Sequence, residues 1–424
     1  MKKQFLYQIA MLAMAGMLMG CQKADGNQKK EQGQSLEVVT EKYYESQVNE
    51  YAQYYMQKYP GSYVKVRSLP EEAEKREPEL QKMRTEIMSG KGADVFILNA
   101  DNEFYAERKE ALFEDVKKSM QSGVFMRLDP YMEEDAYWEE SSYKKEFLET
   151  GQYEGHQYIL PITCQYSMML GPEEGMMPKD STLSDWIAYA RASGNTELQY
   201  AVYSLSLLSG RWQQPTVDYE TQQVVFQKEL WRDFAEQMLD VEVRSWIQGW
   251  SEEPAAYSLE SNFPIRGVSS DRECVYRAVP DILGKKMAAV RAYGAISMAC
   301  EEKEAAYEFL MLFLNDCYVK GTKSSPYLQG MLGADEVPLQ EDSFKEWIKS
   351  WGITEERQSE AILDSFRELE GAYFPMKADV NLYDRMIELF SAYAGRDGNP
   401  EEMTQRIYEI AEQAEKEYTM LVKE

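Results

Sequence analysis

Residues 80–98 read LQKMRTEIMSGKGADVFIL, and the change of hydrophobic period inside them decides the fold. Leu80, Met83 and Ile87 recur at helical spacing, with Pro78 expected in the first turn. Gly90-Lys91-Gly92 stops that helix, and Asp94-Val95-Phe96-Ile97-Leu98 follows as a short apolar run of the kind that forms a buried strand. The same grammar holds upstream. Leu36-Glu37-Val38-Val39-Thr40 is β-prone, and Tyr44, Val48, Tyr51, Tyr55 and Tyr59 mark one face of a helix that Pro60-Gly61 ends. Tyr63 to Arg67 then alternates as a strand does. Strand, helix, strand, helix, strand describes an open α/β sheet, in which ligands lie beyond the carboxyl ends of the strands. Those ends are Thr40 to Tyr44 and Asn99 to Asn102.

The amino terminus speaks about compartment. Lys2 and Lys3 precede an apolar stretch from Phe5 to Met19, too short for a stable membrane span but suited to a signal peptide. Leu18-Met19-Gly20-Cys21 resembles a bacterial lipobox, in which the cysteine is acylated and becomes the new terminus; Met19 is bulkier than usual there. The alternative is an ordinary signal peptide with an incidental cysteine. Residues 21–34 are polar and aperiodic, as a flexible tether is. Roughly 390 further residues exceed what one core usually serves, so two lobes are expected.

The chain carries 46 basic and 73 acidic residues, a formal charge of −27. Loss of Lys2 and Lys3 makes the mature chain more acidic still. That balance excludes non-specific nucleic-acid binding and adhesion to anionic lipid, which need a positive surface. His156 is the only histidine, in a turn-like Glu154-Gly155-His156-Gln157, so histidine-based triads, dyads and zinc sites all rest on one solvated candidate. Cys164, Cys274, Cys300 and Cys317 have no metal-finger spacing and are weak evidence for disulfides. No cofactor, metal or catalytic constellation is expected.

An ordered set of motifs resembles family 1 extracellular solute-binding proteins, the class that includes maltose-binding protein. Its opening is Lys58-Tyr59-Pro60-Gly61 through Met83 to Val95. Residues 151–162 (GQYEGHQYILPI), Thr182-Leu183-Ser184-Asp185-Trp186 (also a capping box) and Val217 to Thr221 with Val224 to Phe226 follow. Tyr293-Gly294-Ala295-Ile296-Ser297 with Glu304 to Leu314 is the most specific pairing. Phe374-Pro375, a helix from Asp379 to Ala394 and a last helix from Pro400 complete the set. Pro280 to Val290 departs from the Gly- and Ser-rich segment usual there, which leaves the ligand open. The resemblance implies an α/β, two-lobe periplasmic-binding-protein-like fold with a hinge between the lobes. Residues 35–162 with 291–330 would form lobe 1, and 163–290 with 331–424, including a C-terminal helical subdomain, lobe 2.

Sugar recognition takes aromatic faces for the ring and planar polar groups for the hydroxyls. Glu41 and Tyr43 follow the first strand. Asn99, Asp101 and Asn102 follow the third, where Asp101 matches a hydroxyl-binding aspartate of the family's maltose-binding member, or else caps a turn. Tyr166 lies past the crossing strand, facing the cleft or packing. Trp212 is a loop tryptophan expected in the cleft. Arg291 and Tyr293 precede the second crossing strand, and Tyr373 and Phe374 open the C-terminal subdomain where relatives carry ligand contacts.

The expectation is therefore a non-enzymatic, monomeric binding lipoprotein of an ABC importer. It would be held to the membrane through Cys21, face outward, and deliver a carbohydrate to permease subunits. The alternatives are a binding protein that feeds a membrane sensor or serves as a surface adaptor, and an envelope glycoside hydrolase. The last needs a carboxylate pair that no local motif singles out.

Overall fold

The alternation in residues 35–99 folds as its period requires. In the computed structural model, β1 (Ser35–Glu41), β2 (Tyr63–Leu69) and β3 (Val95–Asn99) are parallel neighbours, with β1 between the other two. Residues 34–100, 110–173, 176–208, 212–239, 258–260, 275–314, 336–350, 352–394 and 399–423 are described. Helix α1 (Glu45–Lys58) buries Val48, Tyr51 and Tyr55, while Tyr44 caps its start from a single 3-10 turn and is itself fully buried.

Helix α2 (Ala73–Met88) starts earlier than the sequence suggested and places Pro78 in its interior. The missing N–H and the displaced carbonyl of Glu74 fall on an exposed turn, where water satisfies what the helix cannot. The earlier start lets Arg76 reach back and pair with Glu41. Gly90, at φ +69°, closes the helix in the left-handed region that glycine adopts freely.

Two further strands complete this sheet, in the order β2-β1-β3-β10-β4, where β4 is Ile159–Pro161 and β10 is Ala292–Ile296. Strand β10 runs antiparallel to both β3 and β4. Both β4 and β10 continue directly into a second sheet. Strand β4 passes through Ile162 into β5 (Thr163–Gln165), and β9 (Met287–Val290) passes through Arg291 into β10. The second sheet has the order β11-β5-β9-β12, with β11 at Val337–Pro338 and β12 at Gly371–Tyr373. A third, antiparallel sheet sets β6 (Met168–Gly171) between β7 (Ser258–Glu260) and β8 (Val275–Ala278).

Helix α6 belongs to a series that begins with α3 (Val116–Gln121), α4 (Leu183–Ser193) and α5 (Lys228–Leu239). Spanning Lys303–Met311, it packs onto β10 so closely that a Cβ on Gly294 would lie 2.1 Å from Leu310 Cδ1. The expected buried face of Ala306, Phe309, Leu310 and Phe313 is present, and so is the Thr182–Asp185 capping box of α4. Helices α7 (Glu341–Ser350), α8 (Glu356–Arg367), α9 (Lys377–Ala394) and α10 (Pro400–Lys423) end the chain.

Two hydrophobic cores result. The first unites the large sheet, α1, α6 and the second sheet; the second gathers α4, α5, α9 and α10 around Trp186, Trp212 and Trp231. Val337, Phe344, Trp347 and Phe366 belong to the first core and Met376 onward to the second, so the core changes near Pro375, not near residue 331. Among the described residues no helix is long and apolar enough to cross a membrane. Cys164 and Cys300 are buried, while Cys21, Cys274 and Cys317 lie outside the described residues.

A buried polar relay ties α1 to the crossing. Tyr44 Oη and Thr163 Oγ1 each donate to the Glu336 carboxylate at 2.6 Å, and Asn99 Nδ2 donates to Tyr44 Oη at 3.1 Å. Glu336 is wholly inaccessible. Tyr44→Phe removes one donor from this buried carboxylate and is expected to lower stability by about 1–3 kcal/mol. Urea denaturation of the two proteins measures it; equal midpoints and slopes would discard the relay as a stabilising element.

Candidate ligand-binding groove

Two tight turns frame a groove lined by both polar and aromatic side chains. The first turn joins the short hairpin strands Gln152–Tyr153 and His156–Gln157, with Glu154 at φ +50° and Gly155 at +75°. The second joins Val217–Asp218 to Gln223–Val224. There the Asp218 carboxylate accepts the N–H groups of Glu220 and Thr221, at 2.9 and 3.1 Å, and fixes the loop. The walls meet twice. Tyr219 Oη donates to the carboxylate of Asp115, the N-cap of α3, and the Glu154 N–H donates to the Glu220 carboxylate at 2.9 Å.

The space enclosed is about 630 Å³. Tyr153, Tyr219, Tyr373 and Phe374 give it aromatic surface, and Gln152, Gln213, Gln214 and Gln227 give it amides. Its charged lining is mainly acidic, relieved by Lys117 and Lys285. Burial pulls the Lys117 ammonium down to about 8, against the opposing pull of Glu220, Asp115 and Asp218. Burial, reinforced by Asp115, pushes the Tyr219 phenol well up, so it is a hydrogen-bond donor at neutral pH.

Two buried aspartates hold the wall from beneath. Asp281 accepts backbone N–H groups from Leu283, Lys285 and Gln214 at 2.8, 2.9 and 3.3 Å. Asp379 accepts from Tyr418 Oη at 2.9 Å and Thr216 Oγ1 at 3.0 Å. Burial outweighs these hydrogen bonds in both and raises each carboxyl to about 6.

The structure separates the sequence-derived candidates. Tyr373 and Phe374 line the groove. Tyr43 is 52 % exposed just beyond β1, at the carboxyl edge of the first sheet. Glu41, at the same edge, is occupied by a two-point pair with Arg76 at 2.9 and 3.0 Å. Asn99 donates to Tyr44, as above. Arg291 is buried at the crossing and Tyr293 is core, its ring edge-on to Phe374. Asp101 and Asn102 lie outside the described residues.

Of the two alternatives for Tyr166 the structure has the second, and the placement of Trp212 is corrected. Tyr166 packs rather than faces a cleft: it is 1 % exposed, 3.0 Å from Ser365 Oγ and tilted against Phe366. Trp212 is 2 % exposed, packed among Trp231, Phe234 and Tyr383, because its loop folds inward over α5. His156 stands beside the hairpin turn with its side chain 39 % exposed, as expected of a solvated residue, and Nδ1 lies 3.6 Å from the Asp129 carboxylate. Sequence reasoning passed over Lys117, Tyr153, Gln214 and Tyr219. An aromatic beside an acid in each of two tight turns, Tyr153-Glu154 and Tyr219-Glu220, was the available signal.

Comparison with solved structures follows this geometry. A family 1 extracellular solute-binding protein from Alicyclobacillus acidocaldarius matches at 13% identity with a TM-score of 0.57, over 92% of this chain and 99% of that one. The sugar-binding protein MalE of Xanthomonas citri matches at 13% identity and 0.56, over 89% and 98%. The cyclic α-maltosyl-1,6-maltose binding protein of Arthrobacter globiformis matches at 13% and 0.52, over 91% and 100%. A de novo designed cysteine esterase shares the fold as well. No protein-family model matches the chain, and no curated protein sequence does. The chain thus has the two-lobe α/β fold of the family 1 solute-binding and MalE-like sugar-binding proteins, most of whose similar structures are binding proteins.

The raised aspartates set a pH dependence. A carboxyl higher in the folded than in the unfolded state binds its proton more tightly when folded, so its contribution is complete below about 4 and is lost as pH rises through about 6. Melting temperature is therefore expected to rise between pH 7.5 and 5.5. Asp281→Asn and Asp379→Asn should each flatten that rise; an unaltered slope in both, followed by scanning calorimetry, would reject the assignment.

Proposed function

We propose that this protein is the solute-binding component of an ABC importer that captures a carbohydrate in the groove between its two walls and presents it to a permease. The observation that carries the reading is the groove's composition. Aromatic rings, amides and carboxylates converge from both cores onto one space of sugar size, in a fold shared with sugar-binding proteins. A ligand that touches both walls would favour their approach by its differential contacts, which makes occupancy a shape that a permease can read.

A binding protein needs affinity and release, and the buried acids of the groove wall are engaged in holding backbone N–H groups. Cys21 is proposed as the lipid attachment point and residues 21–34 as the tether, with the protein facing outward from the membrane. Cys21→Ala should move the protein from the membrane to the soluble fraction or leave it unprocessed. Unchanged retention and processing would refute the anchor.

Tyr153→Ala should weaken binding of a disaccharide found by thermal-shift screening at least about tenfold, equivalent to about 1.4 kcal/mol. Because Tyr153 is only partly buried, the ligand-free melting temperature should change little. An unaffected affinity would remove the groove from the binding reaction.

A further inference from the structure

The strand residues Cys164-Gln165-Tyr166-Ser167-Met168 are all buried, which is the pattern of a chain covered on both faces. Four of them fill the crossing and its core. Ser167 differs, because it sits between β5 and β6 where the chain changes sheets. Its carbonyl accepts the Val279 N–H at 3.0 Å, but its hydroxyl has no hydrogen-bond partner among the described residues and the residue is 6 % exposed. A buried hydroxyl in that state is costly, and such groups are rare unless something completes them.

What lies in front of it is a cavity of about 10 Å³, lined by Ser167, Gln214, Asp281, Lys285 and Tyr373. Gln214, Lys285 and Tyr373 also line the large groove, so the cavity opens from the groove's wall. Its volume suits one oxygen atom and excludes a ring. The Asp281 carboxylate shapes the wall but is already taken up by three backbone N–H groups. Ser167 Oγ, able both to donate and to accept, stands in that wall beside the Gln214 amide and the Lys285 ammonium, placed to meet an incoming hydroxyl.

We propose that this cavity is a hydroxyl subsite of the groove, in which Ser167 Oγ pairs with one hydroxyl of the bound sugar and thereby sets stereochemical preference. The inference rests on the reading that the groove binds carbohydrate. A pocket for one oxygen distinguishes a sugar that directs a hydroxyl into it from an epimer that does not, since the wrong epimer leaves the serine unpaired.

Titration calorimetry of wild type, Ser167→Ala and Ser167→Val against maltose, cellobiose and mannobiose tests it, alongside the ligand-free melting temperature of each. For whichever disaccharide wild type binds, Ser167→Ala should weaken binding at least about tenfold and Ser167→Val, which fills the cavity, further still. The ligand-free melting temperature of Ser167→Ala should hold or rise, because the hydroxyl has no protein partner to lose. Unchanged affinity in both variants overturns the subsite while leaving the groove reading intact. A sharp fall in the melting temperature of Ser167→Ala marks the serine as structural and also overturns it. If wild type binds none of the three and no other sugar, the groove reading fails and the subsite fails with it.

Discussion

Two of the passages between the first sheet and the second, β4 into β5 and β9 into β10, are hydrogen-bonded to each other. The Ile162 N–H donates to the Ala292 carbonyl at 2.8 Å and the Arg291 N–H to the Thr163 carbonyl at 2.9 Å. A third contact, from the Ala100 N–H to the Arg291 carbonyl at 2.7 Å, pins the end of β3 to the same point. Thr163 carries the connection inward, accepting the Ala292 N–H and donating to Glu336, which also takes the Tyr44 hydroxyl. A change in this ribbon would alter the register of both sheets at once, because β4 and β10 belong to one and β5 and β9 to the other. The position of every groove residue relative to the opposite wall depends on it.

The groove inherits its character from this arrangement. Its walls come from different cores, and among the described residues two polar contacts bridge the turns: Tyr219 to Asp115, and the Glu154 N–H to Glu220. Polar contacts that water can replace are worth about 0.5–1.5 kcal/mol each, small beside the apolar packing that holds each core. Contacts of this strength are matched by those a ligand can make, so a ligand that touched both turns would bias their separation. Lys117 sharpens this. Its ammonium, pulled down to about 8 by burial, stands among three carboxylates and responds to any change in how closely Asp218 and Glu220 approach.

The fold was legible where the period was strong. Val95 to Leu98 could only be a buried strand, and Ala306, Phe309, Leu310 and Phe313 could only face a core, because the spacing of apolar residues leaves no other partner for them. Helix α2 was misread at its start because Pro78 looked like an opening residue; the tertiary pair of Arg76 with Glu41 rewards a longer helix, and no local rule registers a partner 35 residues away. The site was less legible for a related reason. Tyr166, Trp212 and Tyr293 are chemically suited to stack on a sugar, but burial decides which aromatics remain available, and burial is a long-range property. Tyr373 and Phe374 were found through a motif; Tyr219 lay in one, Val217 to Thr221, that was read only for the fold, and Lys117 carried none.

That contrast bears on how such a chain recognises its ligand. It has 30 tyrosines and 8 tryptophans, a surplus that invites the idea of a cleft paved with rings. The structure spends most of the described ones otherwise: Trp186, Trp231 and Trp347 are fully buried, and so are Tyr44, Tyr55 and Tyr276. Rings on strands and helix faces are drawn into cores because the surface they bury there stabilises the fold whether or not ligand is present. A ring on a tight turn is spared this where the turn's own geometry keeps its neighbours solvated. Tyr153 is of this kind, half-buried on its turn, whereas Tyr219 is buried in the second core with its hydroxyl on Asp115. On the proposed reading, recognition by a turn residue such as Tyr153 would leave the cores free to be optimised for stability, and ligand preference would change by substitution in a short hairpin while the crossing stays fixed.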